Sequence, residues 1–98
     1  MSIIEIIKIS EEVENEPVEY GVEILKKEGE SQKSIRKKLK ELKKELENTI
    51  LFKHPVYGAF VSFSNPNKSR LVVKVNFLWR NYARGVIREV AREQKFEI

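Results

Sequence analysis

The sequence predicts an α+β fold: two layers, with an antiparallel four-stranded sheet in ββαββα order and two helices on one face, residues 1–98 making a single domain. Three observations carry that expectation. Isoleucine-rich and alternating apolar segments open the chain, an amphipathic run rich in lysine follows, and a second pair of apolar segments then leads into a final helical arc. The order repeats a strand–strand–helix unit, although no sequence repeat is visible.

The stretch "SIIEIIKIS" is dense in isoleucine, whose branched Cβ suits a pleated strand, so Ile3 to Ile9 reads as the first strand. In "VEYGVEI", Val18, Tyr20, Val22 and Ile24 alternate with Glu19, Gly21 and Glu23, the period of two expected of a second strand. A helix over residues 17–28 is the rival reading, because Pro17 suits a first helical turn and Gly29 a C-cap. Next, "SQKSIRKKLKELKKELENT" reads as a helix with Ser31 as N-cap and a stripe of Ile35, Leu39, Leu42 and Leu46. That stripe is about 60° wide at roughly 100° per residue, which suits a peripheral helix or one paired along a helix–helix seam.

After His54-Pro55, "VYGAFVSF" and "RLVVKVNF" read as a hairpin around "SNPNKS", where Pro66 suits the second position of a turn. If Asn65 to Lys68 make a four-residue loop, Ser64 lies opposite Ser69. Val56, Phe60, Leu71, Val73, Val75 and Phe77 then share one face. Tyr57, Ala59, Val61, Phe63, Arg70, Val72, Lys74 and Asn76 share the other. A loop of different length would exchange the first strand's contribution. A last helix is expected from near Trp79, burying Trp79, Tyr82, Ala83, Val86, Ile87 and Val90. Gly85 within it suggests close packing against a neighbouring backbone.

Composition narrows the chemistry. There is no cysteine, which removes disulfides, thiolate metal sites and cysteine nucleophiles. All fifteen acids are glutamate, and the lack of aspartate weakens readings that rely on Mg²⁺ sites, calcium loops or catalytic triads. His54, beside Pro55, has no cysteine or aspartate to complete a metal set or a triad. Glu11, Glu12, Glu45 and Glu47 could in principle do acid and base work, but they sit in polar segments that read as exposed. Four scattered glycines make no phosphate-binding loop. No enzyme activity, cofactor, metal or small-molecule substrate is expected. The N-terminus has no basic segment before a long apolar core and no apolar run approaches the ~20 residues that span a bilayer, so a soluble cytoplasmic protein without membrane attachment is expected. Charged residues make up 35% of the chain, and lysine, glutamate and arginine without cysteine fit a thermophilic source.

Charge is the remaining signal. The net charge of +4 conceals a division: residues 1–30 hold nine Glu against three Lys, and residues 31–98 hold sixteen Lys or Arg against six Glu. Within the first predicted helix, Lys33, Lys37, Lys40 and Lys44 lie opposite the leucine stripe with Arg36 on its flank. Cations near the N-terminus and glutamates near the C-terminus oppose the helix macrodipole. The last helix stacks Arg80, Arg84, Arg88 and Arg92 at four-residue spacing. Its like-charge pairs cost roughly 0.2–0.5 kcal/mol each, and the placement of Arg88 and Arg92 at the C-terminal end offsets much of this. On the second hairpin, Tyr57 and Phe63 interleave with Arg70 and Lys74, a pattern suited to stacking single-stranded bases or to contact with another protomer.

These features lead to the expectation of a small, non-catalytic, homodimeric protein that binds DNA or RNA through phosphate contacts. The candidate residues are Lys33, Arg36, Lys37, Lys40, Lys44, Arg70, Lys74, Arg80, Arg84, Arg88 and Arg92. The alternative is a homo-oligomeric interaction or assembly subunit whose acidic N-terminal third pairs with the basic helices of a partner.

Overall fold

In the computed structural model, residues 3–25, 29–64 and 69–97 are described. They form one antiparallel sheet in the order β1-β2-β4-β3, comprising β1 (Ile3–Lys8), β2 (Val18–Leu25), β3 (Phe60–Phe63) and β4 (Arg70–Val75). Two long helices, α1 (Gln32–Glu47) and α3 (Arg80–Glu93), pack on one face. The short α2 (Ile50–Lys53) and single 3₁₀ turns at Pro55–Tyr57 and Phe77–Trp79 complete the chain. The α+β class and the layer arrangement are as the sequence predicts. Residues 18–25 are strand, which settles the rival helical reading; Ile24 pairs with Ile4 and Val18 with Val75.

The core is a sandwich of alternating strand residues and helix stripes. Ile4, Tyr20, Val22, Leu71 and Val73 are buried against Leu39, Leu42, Leu46, Ala83 and Ile87. All of the α1 stripe is buried although it is narrow, because α1 lies against both α3 and the β3–β4 side of the sheet, and Leu51 of α2 extends the apolar surface. Full burial of such a leucine is worth roughly 1.5–3 kcal/mol relative to exposure. The Ser31 hydroxyl accepts a hydrogen bond from the Ser34 N–H at 3.1 Å, so the predicted N-cap is in place.

The second hairpin corrects the expected register. The Ser64 N–H donates to the Arg70 carbonyl at 2.9 Å, and Phe63 lies opposite Leu71, so the connection is one residue longer than the four-residue loop assumed. Every side chain of β3 therefore changes face. Val61 and Phe63 pack toward the helices, and Phe60 faces outward, 72% exposed. The turn expected at Asn65–Lys68 lies outside the described residues.

Val56 and Tyr57 belong to a 3₁₀ turn, not the strand. Gly58 ends that turn in the left-handed region (φ 58°), and a Cβ there would collide with the Asn76 side chain. Asn76 locks the turn to the end of β4: its Nδ2 donates to the Val56 carbonyl at 3.2 Å, and its N–H donates to the Tyr57 carbonyl at 3.0 Å. Phe77, expected on the strand, lies in the second 3₁₀ turn.

The final helix also departs from its expected arc. Ala83, Ile87, Val90 and Ala91 are buried, whereas Tyr82 is exposed and Trp79 and Val86 are half-buried. Nor does Gly85 pack closely: it is exposed, and a Cβ there would meet no atom within 4 Å.

Candidate functional site

The contacts of each helix fix the direction of its charged faces. At the start of α3, Arg80 forms an ion pair with Glu12 of the β1–β2 connection, and Tyr20 donates from its hydroxyl to the Arg80 carbonyl at 3.2 Å. On its other side, Tyr82 meets Tyr57 with ring centroids 5.5 Å apart, within an aromatic group that includes Trp79 and His54. The arginine side of α3 thus looks toward the β1 edge and the Tyr82 side toward α1.

A four-residue step advances about 40° around a helix of 3.6 residues per turn. The arginine row therefore winds. Arg80 lies near the sheet edge, and Arg84, Arg88 and Arg92 turn progressively away from the sheet into solvent, where all three are exposed.

Helix α1 is anchored in the same manner. Glu47 borders a shallow depression with Phe52, Ala59, Phe60 and Val61, which places that flank toward β3. Lys33, Lys37, Lys40 and Lys44 lie opposite the buried stripe and are exposed, and Arg36 is exposed on the β3 flank. On the opposite flank, toward α3, are Glu41 and Glu45; by the same angular count Glu89 and Glu93 of α3 face α1. The helical layer consequently carries two basic strips with glutamates along the seam between them, not one continuous basic surface.

Partners divide the predicted residues into three groups. Arg80 is held by Glu12, its Nη1 donates to the Phe77 carbonyl at 2.8 Å, and its guanidinium carbon sits 3.8 Å over the Phe77 ring. Arg70 is held by Glu23, with Nε donating to the carboxylate at 2.5 Å. These two arginines are structural, and the acidic N-terminal third supplies their counter-charges. Lys74 is exposed on the face of the sheet away from the helices, separate from the other lysines. The remaining eight, Lys33, Arg36, Lys37, Lys40, Lys44, Arg84, Arg88 and Arg92, form no ion pair with a described residue.

Glu12 also contacts Lys8 at 2.9 Å. The Lys8 hydrogen bond, with Arg80 second, holds its carboxyl below the usual carboxylate range. His54 accepts from the Val56 N–H through Nδ1 at 3.3 Å and caps the 3₁₀ turn, a local structural role.

The expected aromatic and basic sheet face does not assemble. Phe63 and Tyr57 lie on the helix side, and the aromatic beside Lys74 is Phe60. The sequence does not reveal the Tyr57–Trp79–Tyr82 group as a unit, because the alternation of "VYGAFVSF" places Tyr57 on a strand whereas it lies in a 3₁₀ turn. Only the short spacing between Trp79 and Tyr82 hinted at it.

Among the described residues no group of acids and histidine could hold a metal ion, and no helix is long and apolar enough to cross a membrane. No protein family, no curated protein and no solved structure matches this chain.

Proposed function

We propose that this is a non-catalytic cytoplasmic protein that binds nucleic acid by holding phosphates on the outer side of its helical layer. The observation that carries the reading is the separation of charge between layers. Helix α1 has seven basic residues against three glutamates and α3 has four against two, while the open sheet face sets Glu5, Glu19 and Glu23 against Arg70 and Lys74. A polyanion is attracted to one face of the molecule.

The α1 strip is the stronger candidate. Lys33, Lys37, Lys40 and Lys44 run for roughly 16 Å along the axis, a length that meets several successive phosphates of one strand. Arg84, Arg88 and Arg92 make the second strip, and Arg36 extends the first toward the β3 edge. Arg70 and Arg80 drop out as contacts because their own chain already engages them. The assembly alternative draws less support for the same reason, since Glu12 and Glu23 are committed within the chain.

The test is binding of single-stranded and duplex DNA and RNA by fluorescence anisotropy across a salt series. Affinity that falls linearly on log–log axes is expected. No binding at low salt, or a slope near zero, rejects the proposal.

A further inference from the structure

The face of the sheet that the helices leave open has a palindromic order of chemistry. One row across the four strands reads Ile9, Glu19, Lys74, Phe60, with Glu19 paired to Lys74 and Lys74 to Phe60, and with the Ile9 N–H donating to the Glu19 carbonyl at 3.0 Å. It is apolar, acid, base, apolar. Another row reads Glu5, Glu23, Arg70, Ser64.

We propose that this open face docks with a second copy of the chain, sheet against sheet, about a two-fold axis parallel to the strands. Such an axis reverses the order of strands and keeps each row at its own level. Glu19 of each copy then lies over Lys74 of the other, Ile9 over Phe60, and Glu23 over Arg70. A two-fold interface must be complementary to itself, and these rows are. The alternative axis, perpendicular to the strands, sets β2 on β2 and glutamate near glutamate.

Three observations favour a second copy over other occupants. Phe60 is 72% exposed and Leu25 41% exposed at the margins of the face, apolar area that burial rewards. Glu19 and Lys74 are cross-strand neighbours yet make no ion pair with each other, which leaves both available to a partner. In the other row Glu23 is already engaged by Arg70 of its own chain, and the two-fold sets that intact ion pair against its copy in reversed order, acid over base. Three glutamates turn a nucleic acid away from this face, and central charges do not suit a lipid surface. A four-stranded face with strands about 4.8 Å apart is smaller than the roughly 800 Å² per partner of a standard interface. The dimer is accordingly weak, with a dissociation constant on the order of micromolar or above.

The experiment uses the full chain in sedimentation velocity over a concentration series without nucleic acid, for wild type, Glu19→Lys, Lys74→Glu and an equimolar mixture of the two variants. Wild type is expected to associate, and each variant alone to do so about tenfold more weakly. The mixture should recover association as one-to-one heterodimers, because the first variant presents two bases where the second presents two acids. Mixing alters neither folded chain, so recovery cannot arise from repaired folding. Thermal melts of each variant confirm that both fold. A wild type that stays monomeric at millimolar concentration, variants that associate as wild type does through another surface, or a mixture that stays monomeric each overturns the proposal.

Discussion

Counterion release offers the most direct way to separate contacting cations from structural ones. Each phosphate neutralised on duplex DNA contributes about 0.9 to the slope of log affinity against log salt. If only the four α1 lysines engage, the slope is about −3.6; with Arg84, Arg88 and Arg92 as well, it reaches about −6.3. Replacing Lys37 and Lys40 together by Gln should therefore lower its magnitude by about 1.8, which corresponds to about 60-fold weaker binding at 0.1 M salt relative to a 1 M reference. Arg80→Gln is the contrasting change, since its guanidinium lies on Phe77 and Glu12. It should leave the slope unchanged and lower the melting temperature. The assay is anisotropy titration of a labelled duplex at five or more salt concentrations, with thermal melts alongside. An unchanged slope in the double lysine variant, or an equal reduction in the Arg80 variant, would refute the assignment of phosphate contacts to the outer helical face.

Three further changes have defined outcomes. Gly85→Ala should stabilise the protein by about 1 kcal/mol, because the position is helical, exposed and open around the new methyl; a fall in the denaturation midpoint would contradict this. Lys33→Glu should raise stability by about 0.3–1 kcal/mol by complementing the N-terminus of α1 while weakening nucleic-acid binding, and a parallel rise or fall in both would count against a surface selected for binding. Glu12 has a folded pKa below its ordinary value, so its stabilising contribution is complete above the carboxylate range and is lost as pH falls through the folded pKa. Urea melts from neutral to acid pH should show a shallower decline for Glu12→Gln than for wild type; identical profiles would rule out that contribution.

Much of the fold was legible because periodicity survives tertiary context. Ile35, Leu39, Leu42 and Leu46 were readable as one buried stripe, and Val18, Tyr20, Val22 and Ile24 as one face of a strand. Register was not, since it depends on a connection whose length no local pattern specifies, and a one-residue difference moved Phe60 and Phe63 to opposite faces. Gly58 marked the beginning of β3 only in hindsight. Its left-handed backbone stops the chain from extending before Phe60, while Val56 and Tyr57 have high strand propensity that the Asn76 lock overrides.

The candidate site was legible in composition and not in partnership. Lysine and arginine positions on each helix followed from angular spacing. Which of them meet a glutamate depended on long-range placement: Glu12 reaches Arg80 and Glu23 reaches Arg70 across the fold. The acidic third, visible as a charge block, turned out to be in part an internal set of counter-ions.

Strand β2 lies between β1 and β4, and the two sides of it form on different terms. Its pairing with β1 closes a short connection, whereas its pairing with β4 brings Val18 beside Val75 and Val22 beside Leu71. Chain entropy opposes that second closure until Tyr20, Val73 and the helix stripes are together, so the β2–β4 seam governs the rate of folding more than its final stability. Truncation of Val73 should slow refolding, while an equally destabilising truncation of Leu46 at the end of α1 should act chiefly by speeding unfolding. That pair of refolding and unfolding rates tests whether the seam joining the two strand–strand–helix halves is the kinetic gate of the fold.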